Sequence, residues 1–203
     1  KELRADRIEL ANTQYLGWAG LNREALLPTR EELERAFVLA QEAKRELLGR
    51  AEVLFVKPDH FGTYPRACMD GWGQRFLHLA PNGDILPCHA AKSITTLTFP
   101  NATTSTLASA WNDSEAFQAY RGSAWMKEPC ASCDRKDVDF GGCRCQAFAM
   151  TGDAHRTDPA CTLAPDHHVH VGRLAKLRRQ DGPPKLLVLR HPTRTKKPTP
   201  DAP

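Results

Sequence analysis

The sequence predicts an α/β segment followed by a loop-rich α+β segment organised around metal. Three observations carry this. A strand–helix–strand pattern fills residues 7–56, an Asn-Gly turn separates two short apolar runs at 76–86, and all seven cysteines fall between Cys68 and Cys161. A strand–helix–strand unit favours a parallel sheet covered by helix. A cysteine-rich, loop-rich stretch cannot bury enough apolar area to hold itself together and calls for another fastening.

The elements follow in chain order. Residues 7–11 read as a short buried strand, followed by a loop through Gly17, Gly20 and Asn22. Thr29 and Glu32 have the spacing of a capping box, which starts a helix. Leu33, Ala36, Phe37, Ala40 and Leu47 then recur at helical spacing and give one apolar face, and Gly49 is placed to stop the helix. Val53-Leu54-Phe55-Val56 reads as a second buried strand, ended by Pro58 and Asp59. From about residue 60 the texture changes. Phe76–Leu79 and Ile85–Leu86 flank Pro81-Asn82-Gly83-Asp84, a strong hairpin signal that leads straight to Cys88. Residues 106–121 read as helix, in one or two pieces broken near Asn112-Asp113-Ser114, with Trp111, Phe117 and Tyr120 as anchors. Between Cys130 and Cys161 little periodicity survives. Lys185–Arg190 reads as an edge strand, and the last ten residues as disordered. The expected domains are 1–59, 60–170 and a basic, Pro-rich tail at 171–203.

Charge and hydropathy exclude some classes. The net charge is +4, but Gly172–Pro203 holds nine Lys/Arg against two Asp, leaving nineteen basic and twenty-two acidic residues elsewhere. The positive charge therefore belongs to the tail, which is expected to be a solvated end rather than a nucleic-acid surface. No run of ~18 apolar residues is present, so no membrane-spanning helix is expected. No basic–apolar–small leader opens the sequence, which makes the cytoplasm the default. The opening at Lys1, just ahead of a strand-like run, suggests a portion of a longer protein.

The cysteines carry the chemistry. Cys130-Ala131-Ser132-Cys133 lets two thiolates reach one metal site from a single turn. Cys143-Arg144-Cys145 follows Gly141-Gly142, a pair that permits tight folding of the backbone. Cys68 and Cys88 flank the hairpin, which brings them together, and Cys161 closes the region. An odd count argues against a closed disulfide framework. One zinc site uses four ligands and leaves three cysteines over. Two iron–sulfur clusters, each usually held by four, need one more ligand, and Asp134, Asp137 and Asp139 all stand in the intervening loop. Spacing does not choose among them. The other metal-binding residue types read as ordinary: His167, His168 and His170 as a surface cluster, and His89 as a solvated or packed neighbour of Cys88 that also stands where it would reach a cluster sulfide. Trp72, Trp111 and Trp125 read as core.

Cys68, Gly83 and Cys88, then the CxxC and the glycine-flanked Cys143 and Cys145, resemble the SPASM domain of radical SAM enzymes. Glu9-Leu10-Ala11-Asn12, Gly17-Trp18-Ala19, Asn22-Arg23, Ala25-Leu26-Leu27-Pro28, Phe140–Ala147 and Thr157–Cys161 resemble, more narrowly, the branch acting in pyrroloquinoline quinone biosynthesis. The resemblance covers roughly residues 5–170. It implies that residues 1–59 close a partial radical SAM barrel and that the SPASM domain carries two auxiliary clusters. It selects Asp139, and assigns Cys68, Cys88, Cys143 and Cys145 to one cluster and Cys130, Cys133, Asp139 and Cys161 to the other. It implies S-adenosylmethionine and a third, radical-initiating 4Fe-4S cluster, whose CxxxCxxC motif is not in this sequence. The implied reaction joins a Glu and a Tyr side chain of the precursor peptide PqqA, with the carrier protein PqqD and a reductase or flavodoxin-type electron donor as partners. No catalytic residue is expected in this stretch, which alone would hold clusters without turnover. Asn12 and Gln14, after the first strand, fall where α/β folds bind ligands, on the S-adenosylmethionine or peptide side, although loop packing is the favoured account of them. A zinc-stabilised binding module is the alternative.

Overall fold

The computed structural model describes residues 4–56, 58–177 and 187–189. It divides between Phe61 and Gly62 into two compact units, the first also taking in 187–189.

In the first unit, β1 (Arg7–Ala11) and β2 (Glu52–Val56) pair in parallel, with Arg7 opposite Glu52 and Ala11 opposite Val56. Helices α1 (Gly17–Leu21), α2 (Arg23–Leu26) and α3 (Arg30–Glu46) lie between them. The capping box forms as read: the Thr29 side chain accepts from the Glu32 N–H at 3.1 Å, and the Glu32 carboxylate accepts from the Thr29 N–H at 2.8 Å. Replacing Thr29 with alanine is expected to cost about 1 kcal/mol. An unchanged denaturation midpoint for that variant would remove the box from the account of α3. Phe37 of α3 meets Phe55 of β2 edge-on at 5.6 Å, which seats the helix on the sheet. Tyr15 is buried, its hydroxyl donates to the Leu26 carbonyl at 3.2 Å, and burial pushes that hydroxyl up to about 12.

Two readings change here. Both strands were expected to be buried, yet β1 is mostly exposed and only Val53 of β2 is fully buried. Among the described residues the sheet has two strands, so most of its surface has nothing to pack against. The edge strand expected at Lys185–Arg190 is also not formed where it is described. At 187–189 the backbone groups of Val188 pair with a side chain instead: Asn22 donates to the Val188 carbonyl at 2.9 Å and accepts its N–H at 2.6 Å. The rest of that run and the last ten residues lie outside the described residues.

The second unit begins with a 3-10 turn at Cys68–Asp70 and the hairpin β3 (His78–Leu79) and β4 (Ile85–Leu86). Gly83 turns the hairpin at φ +87°, and a Cβ there would stand 2.8 Å from the Asn101 side chain, so glycine is required twice over. The expected helix arrives as two pieces, α4 (Leu107–Asp113) and α5 (Glu115–Gln118), broken at Ser114. Ile85, Ala110 and Phe117 form the core, with Leu77 and Trp111 against it. Trp72 is buried and donates its indole N–H to the Ala116 carbonyl at 2.8 Å.

The cysteine-rich stretch is more helical than its pattern suggests. It contains α6 (Lys136–Asp139) and α7 (Arg144–Thr151). A further helix, α8 (His167–Leu177), runs into the segment expected to be tail. It also corrects the histidine reading. His168 is exposed, but His170 is 3% exposed, and the His167 ring nitrogen bonds the Pro159 carbonyl at 2.9 Å. Helical winding turns one face of His167-His168-Val169-His170 inward. Among the described residues no helix is long and apolar enough to cross a membrane.

Candidate metal centre

Four cysteines from three segments converge. Cys68 opens the 3-10 turn, Cys88 follows β4, and Cys143 and Cys145 bracket the start of α7. Their thiols close into a ring in which Cys68 and Cys145 each lie within hydrogen-bond reach of both Cys88 and Cys143. Cys68, Cys88 and Cys145 are buried and Cys143 is half-buried. The bonds donated to Cys143 and Cys88, with burial, push the Cys68 and Cys145 thiols up. The bonds received from Cys145 and Cys68 hold the Cys88 and Cys143 thiols well below the usual thiol range. Two thiolates are thereby favoured in the ring, and the thiolate is the form that binds metal.

A second set lines one pocket: Cys130, Cys133, Asp139 and Cys161, with Gly141 and Thr157 in its wall. Asp139 is 7% exposed, whereas Asp134 and Asp137 face solvent. Arg135 approaches Asp139 at 3.3 Å, and the Gly141 N–H reaches its other oxygen at 3.0 Å. Burial pushes the Cys130 and Cys161 thiols up, and Cys130 has the Thr157 hydroxyl at 3.3 Å. All seven cysteines are free.

The backbone serves both sets. The N–H of Ala90 points to the Cys88 sulfur at 3.5 Å and that of Arg135 to Cys133 at 3.4 Å, while the amides of Gln146 and Leu163 bond Cys143 and Cys161. Amide-to-sulfur bonds stabilise thiolates and tune the metal groups they hold. Between Asp139 and Cys143 the chain turns through three successive left-handed residues, Phe140 at φ +50°, Gly141 at +73° and Gly142 at +80°. This turn hands the chain from the pocket to the ring within four residues. A Cβ on Gly142 would stand 2.6 Å from Asp158, so the double glycine also allows a close approach. Along the sequence the sets alternate: Cys68 and Cys88, then Cys130, Cys133 and Asp139, then Cys143 and Cys145, then Cys161.

Two residues escaped the sequence reading. Asp158 is fully buried and accepts from the Cys143 N–H at 2.8 Å, the Ala160 N–H at 3.0 Å and the Gln146 amide at 2.8 Å. It thus ties the ring to the loop that carries Cys161. Burial, reinforced by Cys143, pushes its carboxyl up to about 7. In the sequence it stands within the Thr157–Cys161 stretch of the resemblance with no role attached, and its Asp-Pro step usually signals no more than a turn. The other residue is Arg144, 1% exposed between two cysteines. Of the remaining candidates, Asn12 donates to the Val56 carbonyl at 2.6 Å and closes the ends of the two strands, while Gln14 and His89 are exposed.

Among the described residues no group of three or more His, Cys, Asp or Glu is placed to hold one metal ion. What the structure does assemble is a ring of four sulfurs and a pocket with three sulfurs and a carboxylate. Four-ligand sets rich in thiolate match iron–sulfur clusters.

Residues 68–134 match the family model for the SPASM iron–sulfur cluster-binding domain. A PqqA peptide cyclase of Granulibacter bethesdensis is 53% identical over 165 residues, covering 81% of this chain and 44% of its own length. That of Bradyrhizobium diazoefficiens is 53% identical over 167 residues, 82% of this chain and 44% of its own length. The chain belongs to the PqqE family. A third relative, from Methylorubrum extorquens, extends the match to 186 residues at 46% identity, 92% of this chain and 48% of its own length. The chain therefore spans about half the length of the curated PqqA peptide cyclases it matches. The domain match stops at Asp134, so Cys143, Cys145 and Cys161 lie beyond it.

Proposed function

We propose that this chain is the auxiliary-cluster part of a radical SAM peptide cyclase in pyrroloquinoline quinone biosynthesis. Cys68, Cys88, Cys143 and Cys145 hold one auxiliary iron–sulfur cluster, and Cys130, Cys133, Asp139 and Cys161 hold the other. The observation that carries this reading is the sorting of seven cysteines and one buried aspartate into two separate sets of four. The first unit belongs to a partial radical SAM barrel, with Asn12 and Gln14 toward the S-adenosylmethionine or peptide side. The radical-initiating 4Fe-4S cluster is held by other parts of the enzyme. The substrate is the PqqA peptide, presented by PqqD, and its Glu and Tyr side chains become joined. A reductase or flavodoxin-type protein supplies electrons, in the cytoplasm.

When bound, the auxiliary clusters supply one-electron carriers. The chain's own residues do the rest. The amides of Ala90, Arg135, Gln146 and Leu163 orient and stabilise the thiolates. Arg135 and the Gly141 N–H hold the Asp139 carboxylate in the pocket, where a hard oxygen among soft sulfurs leaves one iron site more exchangeable. Pro65 and Tyr64 line the same pocket.

The test is anaerobic purification, reconstitution with iron and sulfide, and quantification of both alongside zinc. Stoichiometric iron and acid-labile sulfide for two clusters are expected, with one cluster weakened in Asp139→Ala. Tight zinc without retained sulfide would replace this reading with a zinc-stabilised binding module.

A further inference from the structure

Arg144 is a buried cation whose partners are all neutral. Its guanidinium donates to the carbonyls of Gly141, Gly142 at 3.3 Å, Ala154 at 2.8 Å and Arg156 at 2.8 Å, and it lies 4.7 Å above the Trp125 ring. These contacts occupy four of its five N–H groups and leave its charge unbalanced. Among the described residues no carboxylate stands within ion-pair distance of it. Asp158 feels its charge from farther off and is already held by three N–H donors. A cation buried this way costs several kcal/mol unless negative charge is near.

The two cysteine sets are where that negative charge belongs. Arg144 is bonded covalently between Cys143 and Cys145 of the ring. Through its guanidinium it grips the Gly141 carbonyl, and Gly141 lines the pocket of the other set. Its field reaches the Cys130 thiol in that pocket and the Tyr120 hydroxyl, which also senses Cys145. A cluster with thiolate ligands carries net negative charge and gains one more unit on reduction, so a fixed cation nearby favours the reduced form. Arginine suits the position because its planar fork serves several carbonyls at once while staying charged.

From this we infer that Arg144 is the counter-charge shared by both cysteine sites, and that it raises the reduction potentials of both clusters together. The inference rests on the cluster reading above. Arg144 is a positioning residue in this scheme, acting on the clusters through its field.

The test is a redox titration with dithionite, followed by electron paramagnetic resonance, of wild type, R144Q, R144K and W125L after anaerobic reconstitution. In R144Q the reduction equilibria of both clusters are expected to shift at least tenfold toward the oxidised form, about 59 mV for one electron. R144K and W125L keep the charge, so both potentials should stay within about threefold of wild type, even though their cluster-free forms melt lower. Movement of only one cluster in R144Q, or equal shifts in R144K and R144Q, would overturn the inference. If R144Q sheds its clusters, R144M takes its place: a joint shift toward the oxidised form in R144M but not in R144K or W125L supports the shared charge, and potentials unmoved in R144M, or moved equally in R144K, remove it. A wild-type protein without sulfide would sink the cluster reading and this inference together, whereas wild-type clusters with potentials indifferent to R144Q would sink the inference alone.

Discussion

A Cys145→Ala protein is expected to lose the iron and sulfide of one site and keep those of the other. Cys145 is 0% exposed and closes the sulfur ring by bonding both Cys88 and Cys143. Without it three thiols remain, one fewer than a cluster usually requires. The pocket that holds Cys130, Cys133, Asp139 and Cys161 draws no wall from that side chain. Deleting one buried sulfur is a small core change, of about 0.5–1.5 kcal/mol, so the unit should still fold. Cys130→Ala should give the mirror result. Iron and sulfide analysis with reduced-state electron paramagnetic resonance reads both variants. An unchanged cluster content in Cys145→Ala would remove Cys145 from the ligand set, and loss of all iron from both variants would show that the sites cannot form separately.

The second large effect is expected at Asp158. Its carboxylate takes N–H groups from Cys143, Ala160 and Gln146 with no exposure to water. Asp158→Ala leaves those donors stranded, and each stranded buried donor costs about 1–3 kcal/mol. A loss of about 3–5 kcal/mol in the cluster-free protein is therefore expected, allowing for partial relaxation. Asp153 is the comparison. It is exposed and receives the His155 N–H at 2.8 Å, so Asp153→Ala should cost about 1 kcal/mol or less. Denaturant midpoints measure both, and equal losses would mean that the three bonds to Asp158 add nothing beyond those of an exposed acid. Reconstituted Asp158→Ala should also hold both clusters more weakly, because the residue anchors the chain beside Cys143 and again beside Cys161.

The legible parts of the fold are those with a local signal. Helix α3 has a capping box and an apolar stripe, and β3–β4 has its Asn-Gly turn, each spelled out within a few neighbouring residues. Helix α8 was not legible because it opens on three histidines among four residues, a composition with weak helical preference. The burial of His170 depends on packing, not on pattern. For the site, residue types and spacing pointed to metal but left Asp134, Asp137 and Asp139 equivalent. In the structure the left-handed turn at Phe140–Gly142 and the N–H of Gly141 single out Asp139 as the one in the pocket. The roles of Asp158 and Arg144 were invisible for a related reason. A carboxylate and a guanidinium that bond mostly backbone groups need no partner of a particular type, so no local residue pattern announces those roles.

The alternating order of the two sets makes this unit hard to divide. A break in the backbone near Gly152 would leave the sulfur ring whole on one piece and strip the pocket of Cys161. A break near Ser105 would leave the pocket whole and scatter the ring. A break between Cys130 and Cys145 would spoil both, and no single break gives each piece a site of its own. The two sites are laced through one another like crossed brackets, so a split or permuted version of this protein would have to reassemble its halves before both could exist.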